Sequence, residues 1–154
     1  MKNKMQYLGN TSLLRLPKTA FLASSTIPVE MVLRCYDWAV KMRDEGRCVI
    51  SGFSSRLEKD VWNLLVTGTQ PIILVLARKL YHRIPPELQP LLNAGRLLII
   101  STSSSPRQSK ATAFARNKYI CEQADDIFLV GADERSSLYP LRTAYCNKLI
   151  EFED

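Results

Sequence analysis

ATAFARNKYICEQADDIFLVGA, residues 111 to 132, decides how the chain folds. Its first part reads as a helix. Its last part reads as a strand, because Ile127 to Val130 is an unbroken apolar run of the length a central parallel strand needs. Ahead of it, STSSSPRQSK, residues 101 to 110, is a loop of hydroxyls and basic side chains. Strand, polar loop and basic helix together bring backbone N–H groups and cations to bear on phosphate. Arg116 and Asn117 stand side by side on that helix.

The same unit recurs toward the N-terminus. Leu97 to Ile100 is a strand, preceded by a short helix that Pro85 and Pro86 open, that runs through Leu91 and Leu92, and that Gly95 ends. Pro71 to Ala77, PIILVLA, is the most hydrophobic run in the chain. It does not alternate, so it predicts a strand buried on both faces. Ser55 and Glu58 have the spacing of a capping box, which starts a helix to about Thr67 with Val61, Leu64 and Leu65 inward. Cys48 to Phe53 is a strand at whose end Gly52 permits a sharp turn. Pro28 opens a longer helix with Val32, Cys35, Ala39 and Met42 on one face, ending near Gly46. Trp38 either closes that face or covers an interface. Thr19 to Ser24 is the first strand, and residues 1 to 18 read as an irregular lead-in anchored by Leu13, Leu14 and Leu16.

Beyond the opening stretch come a crest at Gly131 to Ser137, a last helix near Tyr139 to Leu149, and an acidic tail over 150–154. Strands that alternate with helices predict an α/β fold: a Rossmann-like three-layer αβα domain with a mostly parallel sheet of about five strands. One such domain is expected to span residues 1–154. Ligands of such sheets lie at the carboxyl ends of the strands. The loops to inspect are therefore Ser24 to Thr26, Ser51 to Arg56, Arg78 to Arg83, Ser101 to Lys110 and Gly131 to Ser137.

The net charge is +6, and its distribution narrows the function. Residues 71–120 hold Arg78, Lys79, Arg83, Arg96, Arg107, Lys110, Arg116 and Lys118 against the single acid Glu87. A one-sided basic region is the electrostatic footprint of a polyanion partner. The 4 cysteines are far apart and His82 is the only histidine, so no metal site is expected. GxGxxG, a Walker sequence and GxSxG are all missing, so dinucleotide binding, ATP hydrolysis and nucleophile-elbow catalysis find no support and no cofactor is expected. No segment approaches the ~18 apolar residues of a membrane span. MKNKMQYLGN lacks the apolar core of a signal peptide, so the expectation is a cytoplasmic protein away from membranes. Glu58 is accounted for by its cap, and Asp133, Glu134 and Arg135 by a loop ion pair. Binding is expected rather than catalysis. Tyr81, Phe53 and Phe114 are aromatic candidates for base stacking, with core packing the stronger expectation for Phe53 and Phe114.

At these motifs the chain resembles the DprA/Smf family, DNA-processing proteins of bacterial DNA uptake with a Rossmann-like domain of the SLOG superfamily. The family's SGLA resembles Ser51-Gly52-Phe53-Ser54, and its strand ending in Tyr-Pro resembles Leu74 through Ile84-Pro85. Its G-LLLSE resembles Gly95 to Ser101, its RNRII resembles Arg116 to Ile120, and its SGSL-TA is echoed by Ser136-Ser137-Leu138 and Thr143-Ala144. The family's Gly-Ser-Arg after the first strand is Ala23-Ser24-Ser25 here, without the arginine. The resemblance implies binding of single-stranded DNA through a basic pocket and assistance in loading recombinase. Lys79, Arg83, Arg107, Lys110 and Arg116 would meet phosphates. Ser51, Gly52, Ser54 and Ser55 would form the pocket floor, with Ser24 and Asn117 beside them. The alternatives are a small-nucleotide binder or sensor, with or without weak hydrolase activity, and a scaffold. Homodimerisation stays open.

Overall fold

The computed structural model describes residues 5–150. Its sheet has six strands: β1 (Gln6–Gly9), β2 (Lys18–Ala23), β3 (Cys48–Ser51), β4 (Ile72–Leu76), β5 (Leu97–Ser101) and β6 (Asp126–Val130). Five helices join them: α1 (Val29–Asp44), α2 (Arg56–Leu65), α3 (Gln89–Asn93), α4 (Lys110–Gln123) and α5 (Tyr139–Ala144). The strand order is β1-β5-β4-β3-β2-β6. All pairs are parallel except β1 with β5. This is the Rossmann-like three-layer αβα arrangement that the strand–helix rhythm predicts.

The two-residue period of the strands divides the core into two slabs. Phe21, Val49, Ile72, Leu74, Leu97, Ile99 and Phe128 face α1, α2 and α3, meeting Cys35, Ala39, Met42, Val61, Leu65 and Leu91. Leu22, Ile50, Ile73, Val75, Leu98, Ile100 and Ile127 face α4 and α5, meeting Ile120, Cys121, Leu138 and Leu141. Trp38 closes the first slab, stacked on Phe21 at 5.2 Å and edge-on to Phe128 at 4.8 Å.

The chain steps one way from β2 to β5 on one face. It then returns through α4, which crosses β2, β3 and β4 on the other face, to lay β6 beside β2. Direction therefore reverses between β2 and β6, the point at which open α/β sheets form a ligand crevice.

Two differences from the sequence reading concern the ends. Gln6–Gly9, within the stretch read as an irregular lead-in, is an antiparallel edge strand followed by a 3₁₀ turn at Thr11–Arg15, and Leu13 alone of the three leucines is buried. The last helix stops at Ala144, and a separate 3₁₀ turn holds Cys146–Lys148. Of the expected acidic tail, residues 151–154 lie outside the described residues. The Ile150 N–H donates to the Ile127 carbonyl at 2.8 Å.

Cys35, Cys48 and Cys121 are buried and Cys146 is exposed. Burial pushes the Cys35 and Cys48 thiols up to about 12 and the Cys121 thiol to about 11, from an ordinary value of 9.0. Raised folded-state values mean that the stability is intact below the unfolded thiol value and lost as pH rises. The urea midpoint is expected to be unchanged from pH 7 to 8.5 and to fall between about pH 9 and 11. In the native protein at pH 8, iodoacetamide should label Cys146 alone; labelling of a second cysteine would contradict the burial described.

Candidate nucleic-acid interface

A polar cavity of about 510 Å³ opens at the β2/β6 reversal. Its walls are the loop after β2 (Ser24, Ser25, Thr26), the start of α2 (Ser54, Ser55, Glu58), the first turns of α4 (Ala113, Arg116, Asn117) and the loop after β6 (Gly131, Asp133 and Arg135 to Leu138).

Local chemistry builds each wall. Ser55 caps α2, its Oγ accepting the Glu58 N–H at 3.4 Å. Glu58 Oε1 accepts the Ser54 N–H at 2.9 Å and the Ser55 N–H at 3.3 Å, while Oε2 accepts the Ala23 N–H at 3.0 Å. One buried carboxylate thus caps the helix and ties it to the end of β2. Ser109 caps α4 in the same way, with Thr112 as its reciprocal partner.

Arg116 is buried beneath the cavity, at 2% exposure. Its Nε donates to Asn117 Oδ1 at 2.7 Å, Nη1 to the Val75 carbonyl at 3.3 Å and Nη2 to Ser54 Oγ at 3.1 Å. Burial lowers the guanidinium pKa, and the nearby Glu58 carboxylate opposes that shift. Gly52 has a reason other than the sharp turn expected of it. A Cβ there would lie 2.5 Å from Arg116 Cζ and 2.8 Å from Nε, so the glycine makes room for the guanidinium. The left-handed turn residue is Phe53, at φ 47°, whose N–H donates to Ser51 Oγ at 3.1 Å. Gly131 does need its freedom, at φ 75°, and a Cβ there would also press on Ser24 Oγ and lie 2.5 Å from Ile27 Cδ1.

The sequence-expected site residues separate into three groups. Ser24, Ser54, Ser55, Arg116 and Asn117 line the cavity together. Ser51 and Gly52 are buried below it, shaping the turn and the arginine seat. Lys79, Arg83 and Arg107, on the loops after β4 and β5, and Lys110, the first residue of α4, are exposed outside the cavity lining. Those two loops are joined, because the Lys79 N–H donates to the Ser105 carbonyl at 2.8 Å.

Three other expectations change. Hydroxyls at the start of the serine-rich loop brace it against the end of β4: Ser101 Oγ shares its one proton between the Arg78 carbonyl at 2.6 Å and the Ser103 carbonyl at 2.9 Å, and Thr102 Oγ1 donates to the Leu76 carbonyl at 2.9 Å. Phe114 is not in the core but exposed at 38%, while Phe53 is buried against Trp62. Asp133 accepts the Arg135 backbone N–H at 3.0 Å, an Asx turn in place of the expected side-chain pair. Asp133, Arg135, Ser136 and Ser137 join the lining, as does Gln108. Their position on inspected loops was the one sequence signal for them.

Among the described residues no cluster of His, Cys, Asp and Glu could hold a metal, and no helix is long and apolar enough to cross a membrane.

Fold and cavity together define a Rossmann-like domain with a polar, ligand-sized cleft at its topological reversal. Solved structures share this fold. DNA processing protein A (DprA) of Streptococcus pneumoniae superposes with a TM-score of 0.75 at 18% identity, covering 97% of this chain and 55% of that protein. DprA of Helicobacter pylori, whose structure describes a single-stranded DNA binding mode, superposes at 0.72 and 20% identity, covering 94% of this chain and 69% of that one. A molybdenum cofactor binding protein of Rippkaea orientalis superposes at 0.58 and 14% identity, covering 89% and 77%. The chain thus spans about half the length of the S. pneumoniae protein. No family model and no curated protein matches the sequence. The resemblance to DprA read from short motifs is met at the level of the fold.

If Gly52 is small because Arg116 lies against it, the two must be energetically coupled. Gly52→Ala is expected to cost about 1–3 kcal/mol in urea unfolding. The cost should shrink in an Arg116→Ala background, with a coupling of about 0.5–3 kcal/mol in the double-mutant cycle. Strictly additive costs would contradict the contact.

Proposed function

We propose that this domain binds single-stranded DNA along the carboxyl-end crest of its sheet. The observation that carries the proposal is the polar cavity at the β2/β6 reversal, floored by a buried arginine and flanked by a shoulder of exposed cations. Hydroxyls and the N-terminal turns of α2 and α4 suit phosphate and sugar oxygens. Lys79, Arg83, Arg107 and Lys110 extend the positive surface to where neighbouring phosphates of a longer strand would run. Phe114 follows the cavity residue Ala113 and offers an exposed ring for base stacking. The likeness of fold to the H. pylori protein supports the same partner.

A second reading is favoured by the size of the cleft. About 510 Å³ suits a single small ligand, and the R. orientalis neighbour binds a cofactor. On that reading the domain takes a mononucleotide in the cavity and leaves the shoulder unused. On either reading the residues that hold the ligand are Ser24, Ser54, Ser55, Arg116 and Asn117, with Ser51 and Gly52 as support beneath.

Fluorescence anisotropy with a labelled strand of about 20 nucleotides separates the two. Strand binding should weaken steeply between about 50 and 200 mM salt and resist competition by mononucleotides. Arg107→Glu combined with Lys110→Glu should weaken binding to all sequences alike and flatten the salt dependence. Unchanged binding in that variant removes the shoulder from the site. A strand that stays free while a mononucleotide raises the melting temperature selects the second reading.

A further inference from the structure

A second, smaller chamber adjoins the cavity. It measures about 260 Å³ and is lined by Ser24, Ser25, Ile27, Val32, Tyr36, Arg56, Leu57 and Asp60. Ser24 and Ser25 line both spaces, so the loop after β2 is a shared wall. The chambers differ in chemistry. The large one is lined mainly by hydroxyls, amides and charged groups, while Ile27, Val32 and Leu57 give the small one an aliphatic surface. A ligand that spans the two therefore has a polar part and a flatter, less polar part, which is the division of a nucleotide between sugar-phosphate and base.

Two polar groups of the small chamber, Tyr36 and Asp60, are arranged to accept hydrogen bonds. Tyr36 Oη donates its one proton to Asp60 Oδ2 at 2.8 Å. That leaves the phenol oxygen with lone pairs only, and the ionised carboxylate is itself an acceptor without donors. Asp60, more than any other charge here, holds the Tyr36 proton in place and raises the phenol pKa. Arg56, at the start of α2, is the one cation on the lining and is exposed.

We propose that the small chamber is a base-reading subsite that selects guanine, with Asp60 accepting the guanine N1–H and N2–H₂ donors. Guanine presents two adjacent N–H donors on its Watson–Crick edge, which a carboxylate meets in parallel. Adenine and cytosine each offer one amino donor beside an acceptor that a carboxylate repels, and thymine offers a single imide N–H between two carbonyls. Ile27, Val32 and Leu57 supply the apolar contact for the ring. The inference rests on the nucleotide-binding reading of the neighbouring cavity, for a strand or a mononucleotide alike.

The test uses the full chain with two probe sets. One is an oligothymidylate strand carrying a single central dG, dA, dC or dT, read by anisotropy. The other is GMP, AMP, CMP and UMP, read by calorimetry. The dG strand, or GMP if strands do not bind, is expected to bind about tenfold tighter than its rivals. Asp60→Asn should erase that preference while the oligothymidylate affinity and the melting temperature hold. Tyr36→Phe, which returns one Asp60 oxygen to solvent, should keep the guanine preference. Discrimination by GMP alone with strands unbound would uphold this subsite and overturn the single-strand proposal. Equal binding of all four bases, a preference that survives Asp60→Asn, or the absence of binding in both probe sets would overturn the guanine subsite. In the first two cases the cavity's role would remain.

Discussion

A positive charge held under the floor of the cavity is the constraint around which the domain is arranged. Arg116 reaches from α4 through to the far side of the strand ends, where it bonds Ser54 and the Val75 carbonyl. Burial of an ion is costly unless its donors find acceptors. Each neighbour answers that demand. Asn117 turns its carbonyl oxygen to Nε, Gly52 gives up a side chain, and Glu58 provides the compensating charge. Glu58 in turn fixes Ala23, Ser54 and Ser55, so the ends of β2 and β3 and the start of α2 share one electrostatic anchor.

The charge pattern of the sequence acquires a different meaning in three dimensions. Of the eight cations between residues 71 and 120, Arg96 and Arg116 turn inward. Arg96 donates to the Leu65, Val66, Gly68 and Gln70 carbonyls and so closes the C-terminus of α2. Helix ends leave carbonyls without partners, and a guanidinium with five donors satisfies several at once. The positive field of the crest thus comes from fewer residues than the count suggests. Lys79, Arg83 and Arg107 stand out on two loops that hold one another, and Lys110 opens α4 just beyond them.

Strong periodic signals were legible, and weak or long-range ones were not. Ile72–Leu76 and Leu97–Ser101 are buried throughout, and runs so apolar leave no doubt about a two-sided sheet. The Ser55–Glu58 spacing marked a true helix start because the cap is a local interaction. β1 is not legible in the sequence because an edge strand buries little, so its four residues carry no alternation to read. The role of Gly52 was invisible because its partner is Arg116, far along the chain and on another element. Of the cavity lining, Ser24, Ser54, Ser55 and the Arg116–Asn117 pair are legible from their loop and helix positions. Asp133, Arg135 and Ser136 gained their place only when β6 docked beside β2.

That docking has a further consequence. Thr19 Oγ1 bonds Asp126 Oδ1 at 2.6 Å across 107 positions of chain, and the same pairing brings Gly131 against the loop at Ser24. Once β2 to β5 are paired, the loop left to close runs only from Ser101 to Asp126, and its entropic cost rises slowly with length. A chain with β2 to β5 in place and β6 undocked would keep most of its sheet and lose the cavity wall formed by Gly131, Asp133 and the residues from Arg135 to Leu138. Occupancy of the cleft therefore reports on the integrity of one strand pair, and any ligand held there acts as a clasp between the first and last thirds of the polypeptide.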